Sequence, residues 1–433
     1  MAFYATIGYK FALDDDTKLA GSLVLASTVA MHGLERRRLD QHPHLERRLF
    51  DPQLYLAGLD AAQCKKHCAR LASYPWFGIG GLKQFDSAEH KQKGWMEEAI
   101  EKIASTWPGQ APSDGGKISV AVRECIEFQQ RFGCWAILLP SPLTIDPSTN
   151  YNDEEAWLDA SLDFVEGLEE FNLPKFATVA ISDACLRLKP KENTLLDIIG
   201  DSVSAREGLD GVYLVVEQAG EAPDTRNCGS QRTLESVLRL VHNFAKDAGL
   251  RVGVSFLGPF GLACEAAGAE WWSSNWYVSL RRLRMADVLG GGRAYPLYWS
   301  GRAAIDVHLD KEFDKLVKAG HLSEISDKTS ASDGLLAAAS KGRRVSQVAP
   351  WAFRQSNVTA TAAHYLQSAA QLENRHAKLS GKARLDLAEK WLDQAAKRTV
   401  KVEGVLGVER KTKTQHVQAW LNAFRGYRKL HKV

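Results

Sequence analysis

No stretch of this 433-residue chain stays apolar long enough to cross a bilayer, which takes about 20 apolar residues. The longest candidate, residues 21–31, is broken by serine and threonine. The opening sixteen residues, MAFYATIGYKFALDDD, follow their first charge with three aspartates where a signal peptide needs an apolar core. No export signal or membrane partner is therefore expected. Cysteine is sparse and odd in number, at seven, which excludes a disulfide-stapled scaffold and predicts free thiols in a reducing, cytoplasmic setting. Three glycine motifs are also missing. Without GxGxxG after a strand a dinucleotide fold is disfavoured, without GKS/T a phosphate loop, and without GxSxG a nucleophile elbow. No fixed-period repeat or low-complexity tract occurs.

What is there is ordinary globular composition, 45% hydrophobic and 25% charged. Between residues 132 and 276, short runs rich in β-branched and aromatic residues alternate with segments of helical period. The runs are CWAILLP, FATVAI, GVYLVV, RVGVSFL and AEWW, separated by EEAWLDASLDFVEGLEEF, NTLLDIIGDSVSARE and RTLESVLRLVHNFAKDAG. Nearly continuous apolar strands joined by single helices predict a parallel sheet covered on both faces. The expected fold class is α/β, a (β/α)8 TIM-type barrel with a mostly helical, basic C-terminal extension. YPWFGIGG, residues 74–81, reads as an earlier strand ending in a glycine turn. The boundary is placed near Asp310, giving a barrel over 1–310 and a helical region over 311–433.

Charge is distributed unevenly. Residues 381–433 carry 13 Lys+Arg against 5 Asp+Glu, leaving 42 against 47 in the rest of the chain. That +8 tail offers phosphate contacts through Lys397, Arg398, Arg410, Lys411, Lys413, Arg425, Arg428, Lys429 and Lys432, with Trp420, Phe424 and Tyr427 as stacking groups. The alternative is a solvated helix packed on the barrel through Trp420, Leu421 and Phe424.

In a (β/α)8 barrel the C-terminal strand ends and the loops after them build the site. Here they supply Gly78, Gly80, Gly81, Ser182, Asp183, Glu217, Gln218, Gly258, Ser273 and Asn275. Among these only Asp183 and Glu217 ionise. Facing one cavity, two carboxylates repel, which raises at least one pKa and sets a general acid beside a base. They serve equally well to accept hydrogen bonds from a ligand's N–H groups, or to cap helices. Cys64, His67 and Cys68 share a helix face, and His42 and His44 flank Pro43, but neither group completes a four-ligand set. The loop Gly290, Gly291, Gly292, Arg293 reads as a connector. No metal or cofactor is expected.

These strand ends resemble the tRNA-guanine transglycosylase superfamily. Phe77-Gly78-Ile79-Gly80-Gly81-Leu82-Lys83 is similar to the family's Asp-Ser-Gly-Gly-Phe-Gln, and Gly208-Leu209-Asp210-Gly211-Val212-Tyr213-Leu214-Val215-Val216-Glu217 to its Gly-Phe-Asp-Gly-Tyr-Ala-Ile-Gly-Gly-Leu segment. Further on, RVGVSFLG, then GAEWWS, then Arg281 and Arg282 follow the family's order at similar spacing. The resemblance spans about residues 74–284. It carries departures: Ser273 stands where the family has its nucleophilic aspartate, Gly78 at the motif aspartate, Leu138 or Leu139 at a base-reading aspartate, and Asp183 at a base-reading glutamine. The family's zinc cysteines have no counterpart.

The resemblance implies a frame that keeps a pocket for a flat base and loses ordinary aspartate-nucleophile tRNA base exchange. The implied ligand is guanine or a 7-deazaguanine-type base. Asp183 and Ser273 would occupy the catalytic positions, with Glu217, Gln218, Gly80, Gly81, Asn275 and Gly258 around the base and Trp76, Trp271, Trp272 or Trp276 stacking on it. Arg281, Arg282, Lys411, Arg425 and Arg428 would meet a macromolecular acceptor, protein or nucleic acid. Degenerate members of this superfamily occur in type IV CBASS anti-phage operons, and the missing aspartates and zinc site resemble that group, pointing to a protein acceptor. The alternative is a nucleic-acid-binding module using the basic C-terminal helices on an inactive barrel.

Overall fold

A computed structural model describes residues 2–7, 17–32, 46–78, 101–102, 105–188, 194–222, 225–288, 297–352 and 358–433. Gly80 and Gly81, with Ile79, Leu82, Lys83, His42, His44 and the Gly290–Arg293 loop, lie outside the described residues.

The sheet is a parallel (β/α)8 barrel. Its staves are β1 (Phe3–Ile7), β2 (Gly21–Leu25), β3 (Arg48–Asp51), β4 (Ile137–Leu139), β6 (Lys175–Ser182), β7 (Gly211–Glu217), β8 (Arg251–Ser255) and β9 (Trp271–Ser274), while the two-residue β5 (Leu143–Thr144) pairs beside β6. Neighbours in the chain are neighbours in the sheet, and β1 pairs with β9 to bring the two ends together. The remaining seam, β3 to β4, is bridged where Trp135 N–H donates to the Arg48 carbonyl at 3.1 Å, so the barrel is nearly closed. Helices return the chain between staves, among them Gly115–Arg131, Asn152–Glu166, Thr194–Ser204, Gln231–His242 and Gly261–Ala267. Their starts follow local rules: Asp114 and Ser230 cap their helices through side-chain oxygens that accept from Lys117 N and Thr233 N.

The expected strand over residues 74–81 is corrected. Pro75, Trp76 and Phe77 form one 3-10 turn closed by Gly78 at φ 74°. Proline has no N–H for a ladder, and the aromatic residues that suggested a strand pack instead outside β3, with Phe50 edge-on to Trp76 at 6.1 Å. The staves that open the barrel lie earlier, within the first 51 residues.

After the barrel, β10 (Leu297–Ser300) and β11 (Ile305–His308) form an antiparallel hairpin, and helices Val358–His376, Gly381–Leu406 and Gln415–His431 follow. One buried apolar cluster runs from the barrel into these helices. Trp420, Phe424 and Tyr427 are buried, with the Trp420 indole donating to the Cys228 carbonyl at 2.8 Å. The tail is therefore a helix packed on the barrel, and these aromatic rings are not available for stacking on bases.

Candidate functional site at the barrel rim

Residues paired across parallel strands point to the same side, so the register sets Thr178, Tyr213, Gly253 and Trp271 on one face. That face is the barrel interior. Tyr213 stacks on Trp271 at 5.6 Å, with Tyr4 and Phe176 against the same indole at 5.2 and 6.4 Å. Gly253 is the residue that admits this ring: a Cβ there would lie 2.0 Å from Trp271 Cζ2. The four aromatic side chains form a floor.

Above the floor the interior turns polar. Asp51, at the end of β3, accepts hydrogen bonds from Tyr55 Oη at 2.7 Å and Tyr213 Oη at 2.9 Å through Oδ2, and from Gln53 N at 2.9 Å through Oδ1. Complete burial pushes its carboxyl up to about 6, against the opposing pull of these donors. Sequence reasoning missed Asp51 because it missed β3. The tripeptide LFD at a strand end was the available signal. Since the folded-state pKa lies above the unfolded one, the native chain holds the extra proton. Asp51 thus favours the folded state most below about pH 4 and withdraws that support as pH rises through about 6. Asp51→Asn should flatten the dependence of unfolding free energy on pH over that window, as read from urea unfolding at pH 4.5 and 7.

Glu217 ends β7. Its Oε2 accepts from Ser182 Oγ at 2.8 Å and its Oε1 from Met285 N at 3.3 Å. Burial raises its pKa, with Ser182 and the Met285 amide opposing and the Asp183 charge adding to the rise. Ser273, on the interior face of β9, and Thr6, on that of β1, have buried hydroxyls without a hydrogen-bond partner among the described residues. Gln218 is buried too. Its Nε2 donates to the Phe256 carbonyl at 2.6 Å while its Oε1 has no partner. The held residue is strained: Phe256 sits at φ 61°, a conformation that costs a bulky residue about 1–3 kcal/mol and concentrates at ligand sites. Unpartnered buried polar atoms are uncommon and call for an occupant such as water or a ligand.

The remaining expected residues fall elsewhere. Asp183 is buried but engaged, accepting from Arg187 Nη2 at 2.7 Å and from Gly220 N at 3.1 Å. It braces the loop after β7 instead of facing Ser273. Burial raises its pKa and Arg187 pulls it back. Asn275 donates to the Thr6 carbonyl and accepts from Trp276 N, both at 2.6 Å, so its amide fastens β9 to β1. Gly258, at φ 57°, lets the Arg281 stem pass, since a Cβ there would lie 2.8 Å from Arg281 Cγ. Of the four tryptophans, Trp271 is in the floor, whereas Trp76 and Trp272 lie on the outer face, Trp272 against Phe3 at 4.4 Å.

The expectation that Arg281 and Arg282 meet a macromolecule is corrected by their burial. Arg281 pairs with Asp306 at 2.5 Å and lies over the Tyr365 ring at 4.3 Å. Arg282 bonds the Ala222 carbonyl, Thr225 and Asp287. Arg425 and Arg428 are exposed or half-buried yet neutralised: Arg425 by Glu389 and Asp393 at 2.9 and 3.0 Å, Arg428 by Asp386 and Glu389, both at 2.7 Å. Lys411 is exposed, and its backbone N–H is held by Glu312.

Cys64, His67 and Cys68 are three members of one helix. Burial drives the Cys68 thiol up to about 12 and the His67 imidazole down to about 3, which keeps the thiol protonated and unsuited to a metal. Among the described residues no group of three His, Cys, Asp or Glu side chains is arranged to hold a metal ion. No protein-family model, curated protein or solved structure matches the chain.

Proposed function

We propose that the barrel binds a guanine or 7-deazaguanine-type base at its C-terminal rim and takes part in modifying or recognising a macromolecule. The observation that carries this reading is the buried Glu217 carboxylate, which accepts from the Ser182 hydroxyl and from the Met285 and Ala219 backbone N–H groups, two staves from a Ser273 hydroxyl that has no partner among the described residues. A carboxylate accepts two N–H bonds from an amino-pyrimidine edge, and such a bidentate pair discriminates by about 1–3 kcal/mol. Ser273 Oγ and Gln218 Oε1 supply further polar contacts. Ser273 is a weak nucleophile without an activating base, so recognition or a non-standard transfer is favoured over ordinary base exchange. A polypeptide is the favoured macromolecule, as in the anti-phage systems that the sequence resembles, because Arg425 and Arg428 of the tail are neutralised by Asp386, Glu389 and Asp393.

A thermal-shift titration with guanine, 7-cyano-7-deazaguanine and its amide tests the reading. A ligand at 100 times its Kd should stabilise by about 2.7 kcal/mol, and Glu217→Gln should abolish the shift. Absence of any shift, or a shift unchanged by Glu217→Gln, would overturn the proposal. Binding of tRNA with a log–log salt slope near −0.9 per phosphate contact would favour the nucleic-acid reading instead.

A further inference from the structure

A cleft of about 930 Å³ lies at the other end of the barrel. Its position follows from the chain: Gly268, Ala269 and Glu270 lead into the N-terminal end of β9, and Lys246 precedes β8. The facing wall is built by the start of helix Gly381–Leu406 and the end of helix Gln415–His431. The volume falls within the range of small-molecule sites, about 300–1,000 Å³.

The cleft is cationic. Lys246, Lys382 and Lys432 line it and make no ion pair among the described residues. Its other charges are already matched: Arg428 by Asp386 and Glu389, Glu270 by Arg251 at 2.5 Å, and Arg384 with Glu265 at 3.5 Å. Gly268, at φ 131°, leaves room for the Lys246 stem, since a Cβ there would lie 3.2 Å from Lys246 Cε. The 26-residue helix that opens into the cleft has no acidic residue in its first turn, and its N-cap Ser380 makes no side-chain cap bond. Its first N–H groups and the positive end of its dipole are thus available to an anion. Glu265, only 2% exposed, lines the cleft, its carboxyl set between the Trp272 indole and Arg384. Burial and the neighbouring Glu373 raise this carboxyl to about 7, with Arg384 and Trp272 opposing.

We infer that this cleft is a second ligand site, for a nucleotide-sized phosphorylated small molecule. The phosphate would sit against Lys246, Lys382, Lys432 and the open helix N-terminus, and the apolar or planar body against Ala266, Ala269 and Leu385.

Isothermal titration of the full chain with ATP, UMP and inorganic phosphate at low salt tests the assignment. The expected result is one site for ATP or UMP, with inorganic phosphate weaker. Lys246→Gln/Lys382→Gln/Lys432→Gln should weaken it at least tenfold with an unchanged circular dichroism spectrum. Glu217→Gln, at the opposite end, should leave this binding intact, which separates the cleft from the rim. The exposed pair Lys318→Gln/Lys341→Gln controls for overall charge. The inference falls if neither nucleotide binds, if the triple variant binds as the parent does, if the control pair loses as much, or if a single-stranded oligonucleotide outcompetes ATP.

Discussion

Arg281→Ala should lower the unfolding free energy by about 3–5 kcal/mol, the cost of leaving a buried charge without its partner. Arg281 has no exposed surface. Its guanidinium pairs with Asp306 of β11 and donates to the Asn275 carbonyl at 3.3 Å and the Trp276 carbonyl at 3.2 Å, with the Tyr365 and Trp299 rings on its faces. One side chain therefore joins the end of β9, the outer hairpin and helix Val358–His376. Removing it strands Asp306 and two carbonyls together. The loss should be read from chemical denaturation, with the double variant Arg281→Met/Asp306→Leu recovering much of it, since an apolar pair of similar volume escapes the desolvation penalty. If the double variant is no more stable than Arg281→Ala, packing and not charge carries the effect.

Trp271→Ala should cost about 3–5 kcal/mol, as large-to-small substitutions in a packed core do. Trp271 is buried among Tyr4, Tyr213 and Phe176 and fills the space that Gly253 leaves open. Its loss leaves a void in the middle of the barrel which the staves cannot collapse into without breaking their ladders. The measurement is the shift in denaturant midpoint at constant slope, together with loss of near-ultraviolet ellipticity from the stacked rings. Gly253→Ala probes the same spot from the opposite direction, because its methyl group meets the indole at 2.0 Å and the ring must move.

The later half of the barrel was legible in the sequence because β6 and β7 are runs of eight and seven residues, buried on both faces and thus apolar throughout. The first half was not. β1, β2 and β3 are five, five and four residues long, too short to outweigh the polar stretches between them, whereas Tyr74, Trp76 and Phe77 mimic a strand that Pro75 forbids. Glu217 and Ser273 could be placed at stave ends by counting. Asp51 could not, since its stave was unassigned and its tyrosine partner Tyr213 lies 162 residues away. Net charge could not decide between the two readings of the tail, since a sum of 13 cations and 5 acids hides which of them meet across helices, and the role given to Arg281 by resemblance overlooked its burial, which depends on Asp306, 25 residues on and in a separate hairpin.

The aromatic floor governs traffic. Tyr4, Phe176, Tyr213 and Trp271 close the bore from below, so a ligand of the proposed rim site would have to enter and leave from the rim. The segment carrying Leu283 and Met285, stitched to Gln218 and Glu217, lies on the rim side of that floor, away from the basal cleft.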